Sequence, residues 1–216
     1  MVGPVGVSGH HPPALFTRVS DPGRRSIDLL ARHPDLVSYD RAMADSSAPV
    51  TATKITAPRP PSRYLRRSRL TDGLDASVDS GRGVVLVSAP AGAGKTTLIN
   101  GWLEGRHGVG WLQVDEGDDD PSRFWAYVAA ALADTVPGLP EAIRASIGDG
   151  LDAAVSTVVN GIVERGDDVV LVVDDYHLIT NDDVHRSVEQ LISLRPANLT
   201  IVVSTRVDPP FRLGRL

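Results

Sequence analysis

VVLVSAPAGAGKTTLINGWL, running from Val84 to Leu103, decides the fold. Its first five residues, Val84 to Ser88, are almost wholly apolar or β-branched and read as a strand buried on both faces of a parallel sheet. A helix follows, and between the two lies APAGAGKTT, Ala89 to Thr97. Gly92 and Gly94 let the backbone curl until successive N–H groups of Ala91 to Gly94 converge on one point, which suits a phosphate. The unpaired first-turn amides and the dipole of the helix favour negative charge at Gly94, Lys95, Thr96 and Thr97. Lys95 has the reach for β- and γ-phosphates, and the Thr96 hydroxyl suits Mg²⁺. Ala89 stands where the strict pattern GxxxxGK[ST] has its first glycine; that position calls for a small residue more than for a positive φ. A Gly-rich turn with no ligand would explain the glycines, but not the Lys–Thr pair in register with strand and helix.

A second stretch, DDVVLVVDDYHLITN from Asp167 to Asn181, makes the first more specific. Val169 to Val173 form another apolar strand, and it ends in two carboxylates, Asp174 and Asp175. An acidic turn after a core strand would account for them in isolation. Downstream of a phosphate cradle they read as its partners: Asp174 holding magnesium with Thr96, and Asp175 polarising an attacking water.

The chain has 216 residues and is 42% hydrophobic, enough for one domain with a real core. Cysteine is absent, which excludes disulfides, thiolate zinc sites and cysteine nucleophiles and agrees with a cytoplasmic setting. No apolar run approaches the roughly 20 residues of a membrane helix, and no export signal is legible at the N-terminus. Net charge is −5, unevenly spread: residues 1–70 carry 11 Lys/Arg against 5 Asp/Glu, residues 71–216 carry 11 against 22. The acidic body argues against a broad nucleic-acid surface.

Three regions follow. Residues 1–51, rich in Pro, Gly, Ser and His, read as a disordered tail in which His10 and His11 are polar filler rather than ligands. Deleting residues 1–42 is then expected to change neither stability nor nucleotide affinity, and Met43 reads as the start of the folded part. Residues 52–82 form a basic, proline-stiffened lead-in and a first helix from Ser68 to Asp79, with Leu70, Leu74 and Val78 on one face. The lead-in is either a solvated linker or nonspecific nucleic-acid arm, or a cover for the nucleotide base. Residues 83–216 form the core. Val109 to Asp115 is a strand. The acidic loop after it is solvated, with Asp120 or Ser122 capping a helix from Pro121 to Val136 that Pro137, Gly138 and Pro140 terminate. Helices from Leu151 to Arg165 and Asp183 to Leu194 flank the carboxylate strand, and a strand from Leu199 to Arg206 brings a hydroxyl pair, Ser204 and Thr205, and Arg206 to its carboxyl end. The whole reads as α/β, a P-loop NTPase with a parallel doubly wound sheet flanked by helices.

APAGAGKTTL, WLQVDEGDDDPSRFWAYVAAAL, VLVVDDYHLITN and LTIVVSTR, with the lead-in TKITAPRPPSRYLRRSRL, resemble the ATPase domain of the large ATP-binding LuxR-type (MalT-like) transcription regulators, a group of the STAND signal-transducing ATPases. The resemblance covers about Lys54 to Leu216. It implies ATP or ADP on the loop Ala91, Gly92, Ala93, Gly94, Lys95, Thr96 and Thr97, magnesium at Thr96 and Asp174, and water activation at Asp175. It further implies a sensor role for Arg206 and Arg67 near the adenine. ATP would act as a conformational switch, with slow hydrolysis at most. Family chains continue into a fifth strand, a winged helix, helical repeats and a DNA-binding helix-turn-helix. This sequence stops at Leu216, so the core is expected to be incomplete at its C-terminus and no DNA-binding module is expected within it.

Without a fifth strand, Val84 to Ser88 is expected at a bare sheet edge, favouring self-association or pairing with a full-length regulator. Two other readings stay open. A small-molecule kinase would need an acceptor pocket and an arginine-rich lid, for which Arg206, Arg212 and Arg215 are the candidates; a noncatalytic remnant would act only by pairing.

Overall fold

The computed structural model describes residues 16–20, 50–59, 67–79 and 83–211. Its centre is a parallel sheet of strands β1 (Phe16–Ser20), β2 (Val84–Ser88), β3 (Val109–Gln113), β4 (Val169–Asp174) and β5 (Leu199–Thr205), in the order β1-β2-β5-β4-β3. Every residue of β2, β4 and β5 is buried, as their unbroken apolar sequences require of strands covered on both faces. The helices are α1 (Ser68–Asp79), α2 (Lys95–Leu103), α3 (Pro121–Ala131), α4 (Leu139–Ser146), α5 (Leu151–Arg165) and α6 (Asp182–Leu194).

The chain leaves β2 for the far edge at β3 and then returns through β4 to β5. Right-handed crossovers in opposite directions put their helices on opposite faces. One apolar cluster accordingly joins Leu74 of α1 and Leu98, Ile99 and Trp102 of α2 to Val85, Val87, Val170, Val172 and Val202. The other joins Phe124, Trp125, Val155, Ile162 and Leu191 to Leu86, Leu171, Val173, Ile201 and Val203. Hydrogen bonds pin each layer: Trp102 Nε1 donates to Asp75 at 2.7 Å, and Trp125 Nε1 to Ser187 Oγ at 3.0 Å. On β3, Gly110 is where α3 comes closest; a Cβ there would meet Leu132 Cδ2 at 2.7 Å and the Ala131 carbonyl oxygen at 2.9 Å.

Four expectations need correction. Phe16–Ser20 form a strand where a structureless tail was expected, ahead of Met43; the rest of residues 1–49, His10 and His11 included, lies outside the described residues. That strand pairs with β2 from Phe16↔Val84 to Ser20↔Ser88, so the cradle strand is not a bare edge. Pro140 is not a terminator: it occupies the first turn of a further helix, α4, where its missing N–H costs nothing. The acidic loop is not simply solvated: Asp118 is fully buried, and Asp119 accepts from the N–H groups of Thr180 and Asn181 at 2.6 and 2.7 Å.

Removing residues 1–42 is therefore expected to uncover β2 as an apolar, unpaired ladder and to promote association of the truncated chain. Light scattering checks this; a truncated chain that stays monomeric at the concentrations where the full chain does would contradict the pairing.

Candidate functional site

The loop between β2 and α2 takes its shape from two glycines in the left-handed region, Gly92 at φ 76° and Gly94 at φ 83°, a conformation that a side chain would oppose. Ala91 is exposed in the turn, and Ala93 N–H closes the loop onto the Pro90 carbonyl at 3.3 Å. Ala89 has no positive φ, which agrees with a position that asks for small size only. Lys95 is buried and folds its ammonium back over the loop, donating to the Ala89 and Pro90 carbonyls at 2.9 and 3.4 Å. Thr96 and Thr97, half-buried in the first turn of α2, follow it.

Across the sheet, Thr96 Oγ1 donates to Asp174 Oδ2 at 2.7 Å, joining residues 78 apart in sequence. Asp174 is fully buried at the end of β4, and its other oxygen accepts the Asp175 N–H at 3.1 Å. Asp175 itself lies at φ 56°, the sole described non-glycine residue with positive φ. That left-handed step, which aspartate tolerates better than most residues, breaks the strand and separates the two carboxylates. Asp175 Oδ2 accepts from Gln113 Nε2 at 3.1 Å, and Oδ1 is 3.9 Å from His177 Nδ1. Arg206, exposed just past β5, acts with Lys95 on His177; burial, together with these two cations, holds the imidazole below its usual pKa.

The lead-in reaches the same end of the sheet. Arg67 donates to the Ala93 carbonyl at 3.3 Å, directly on the loop, and Asn100 Nδ2 of α2 holds the Pro58 carbonyl at 2.7 Å. Further back, buried Lys54 pairs with Asp118 and with Asp115, the latter at 3.0 Å, while its ammonium lies 4.2 Å from the Tyr127 ring centre. These anchors carry residues 50–58 from the β3–α3 connection to α2, so the described part of the lead-in is docked rather than a solvated linker.

The structure thus brings together Ala91 to Thr97, Asp174, Asp175 and Arg67, with Arg206 at the rim. Arg212 and Arg215 lie outside the described residues. Two polar groups here, Gln113 and the His177 ring, were not singled out in the sequence. Gln113 ends β3, and a polar residue at a strand's carboxyl end was the available signal. Ser204 Oγ is buried without a hydrogen-bond partner among the described residues, and so are both ring nitrogens of His177. The motif holding His177 was conspicuous, but nothing local assigns the imidazole a task.

A family model described as AAA ATPase domain matches residues 59–203. The HTH-type transcriptional regulator MalT of Serratia proteamaculans (strain 568) is 36% identical over 137 residues, which are 62% of this chain and 15% of that protein. The likeness read from the motifs is borne out for this segment, and the chain spans only a small part of that relative. Among solved structures, Cdc6p from Pyrobaculum aerophilum is similar with a TM-score of 0.50 and 17% identity, covering 74% of this chain and 44% of its own; this bears on the fold. A STAND protein with a tetratricopeptide repeat sensor from Pyrococcus horikoshii gives a TM-score of 0.47 at 16% identity, over 72% of this chain and 22% of its own.

Proposed function

This chain belongs to the AAA ATPase domain family, and from that premise we propose that it binds ATP with Mg²⁺ as the switch segment of a LuxR-type, MalT-like transcription regulator, hydrolysing the nucleotide slowly at most. The Thr96–Asp174 hydrogen bond carries the reading, because it sets a hydroxyl and a buried carboxylate side by side at the mouth of an anion-accepting loop.

The residues present fit the ligand. The two left-handed glycines leave the loop open to a phosphate, and Lys95 rests its charge on loop carbonyls in the meantime, a poorer partner than an anion. The orphaned Ser204 hydroxyl and His177 ring are buried donors in want of a partner. The backbone of Ala91, Gly92, Ala93 and Gly94 would cradle the phosphates, Lys95 would neutralise the terminal ones, and Thr97 completes the first turn. Thr96 and Asp174 would hold Mg²⁺, which when bound supplies charge neutralisation at the β- and γ-phosphates. Asp175, steadied by Gln113, would orient water and accept its proton; Arg206 would sense the terminal phosphate; Arg67 would lie by the base. Holding these loops with a triphosphate and releasing them afterwards is the switch. No observation favours the kinase reading: Arg206 is the one lid arginine among the described residues, and it is exposed.

Asp175→Asn tests the division of labour. Affinity for Mg·ATP is expected to stay within about twofold while single-turnover hydrolysis falls by about 100-fold or more, the usual range for losing a proton acceptor. An equal loss of binding would assign Asp175 to the metal instead.

A further inference from the structure

His177 sits in the 3-10 turn Tyr176–Leu178, immediately beyond the two carboxylates. Its side chain is 11% exposed, and neither ring nitrogen finds a hydrogen-bond partner among the described residues. An imidazole enclosed in this way forfeits the water it would have outside, so the site carries an unmet demand for a partner. The protein offers one near miss: Nδ1 stands 3.9 Å from Asp175 Oδ1, beyond hydrogen-bond range. The surrounding charges are those of Arg206, Asp175, Lys95 and Asp174, the groups that converge where a terminal phosphate would lie. With its pKa depressed, the ring is neutral at pH 7 and above, with one nitrogen donating and the other accepting.

The same turn has a second face. Tyr176, adjacent in sequence, is buried, and its hydroxyl is 2.9 Å from His185 Nδ1 on α6. Phe211, beyond β5, closes on both rings, at centroid distances of 5.2 Å from Tyr176 and 6.4 Å from His185. One short turn thus sets an imidazole within electrostatic reach of Lys95, Asp174 and Arg206 and a phenol in an aromatic cluster joining α6 to the segment after β5.

We propose that His177 distinguishes the triphosphate from the diphosphate, its ring hydrogen-bonding the group at the γ-phosphate position and the turn carrying that contact through Tyr176 to α6 and Phe211. The proposal rests on the nucleotide reading above and adds the residue that reads nucleotide state. ADP leaves the ring as it stands here. A γ-phosphate, or the water lodged with it, meets the ring's demand and draws it and Asp175 together, in the way that site hydrogen bonds tighten when a ligand arrives.

The test is calorimetry on the full chain at pH 7.5 with Mg²⁺, comparing ADP with a non-hydrolysable ATP analogue for wild type, His177→Ala and His177→Gln. His177→Ala is expected to lose about tenfold in affinity for the analogue, equivalent to about 1.4 kcal/mol, and to keep its affinity for ADP within about twofold. His177→Gln, which retains a donor and an acceptor, is expected to recover part of the loss, and decides the matter should His177→Ala not fold. In the wild type, the ¹⁵N resonances of the His177 ring are expected to move with the analogue and not with ADP. Equal losses for both nucleotides, or no change in either, would overturn the proposal while leaving nucleotide binding intact. Failure of wild type to bind either nucleotide would instead remove the reading on which it rests.

Discussion

Lys95→Ala is expected to weaken Mg·ATP binding by roughly 100-fold, about 3 kcal/mol, the upper range for a hydrogen bond to a charged group. Lys95 is the buried cation of the loop, and its ammonium is held by two main-chain carbonyls, at 2.9 and 3.4 Å, that cannot neutralise it. A phosphate can, so the charge contributes far more to the complex than to the free protein. Thermal stability without nucleotide should fall only slightly, because Ala89 and Pro90 lose a donor at a half-open loop. Isothermal titration of wild type and variant separates the two effects. Unchanged affinity with an unchanged melt would remove Lys95 from the site.

The second large effect concerns the lead-in. Lys54→Met keeps an unbranched stem against the Tyr127 ring and removes the charge that Asp118 faces. Asp118 is fully buried, and would keep only Arg123 Nε at 3.2 Å and the Asp115 N–H at 2.9 Å. Breaking a buried ion pair from one side costs about 3–5 kcal/mol; the remaining partners bring the expectation to about 2–4 kcal/mol, or roughly 5–15 °C in Tm for a chain of this size. Asp115→Asn, at a side chain 54% exposed, is expected to cost under about 1 kcal/mol. Chemical denaturation of both variants checks the contrast. Equal, small losses would mean that Lys54 does not tie residues 50–58 to the β3–α3 connection.

How far these elements could be read in advance follows from where their causes lie. Strand β2 and helices α1 and α5 were legible to the residue, because continuous apolar runs and helical periodicity are local signals. Strand β1 was not: FTRVS is a short stretch amid turn-formers, and what makes it a strand is the free edge of β2, whose residues lie 68 positions on from their partners. Burial of Asp118 was hidden for the same reason, since its counter-charge arrives from Lys54, 64 positions away. In the site, the loop and the two acids were legible because strand ends fix them. Gln113 and His177 were not, because their meaning depends on Asp175 turning left-handed between them.

The most direct measurement of the central claim is a ¹H–¹⁵N titration of the chain with ATP, in the presence and absence of Mg²⁺. A saturable one-to-one complex is expected, with the largest shifts at the N–H groups of Gly92, Gly94, Lys95 and Thr96. Shifts at Asp174 and Asp175 are expected to require the metal. Shifts absent from this loop, or centred instead on the cavity lined by Val136, Leu139, Thr157 and Asn160 between the α3–α4 turn and α5, would contradict it.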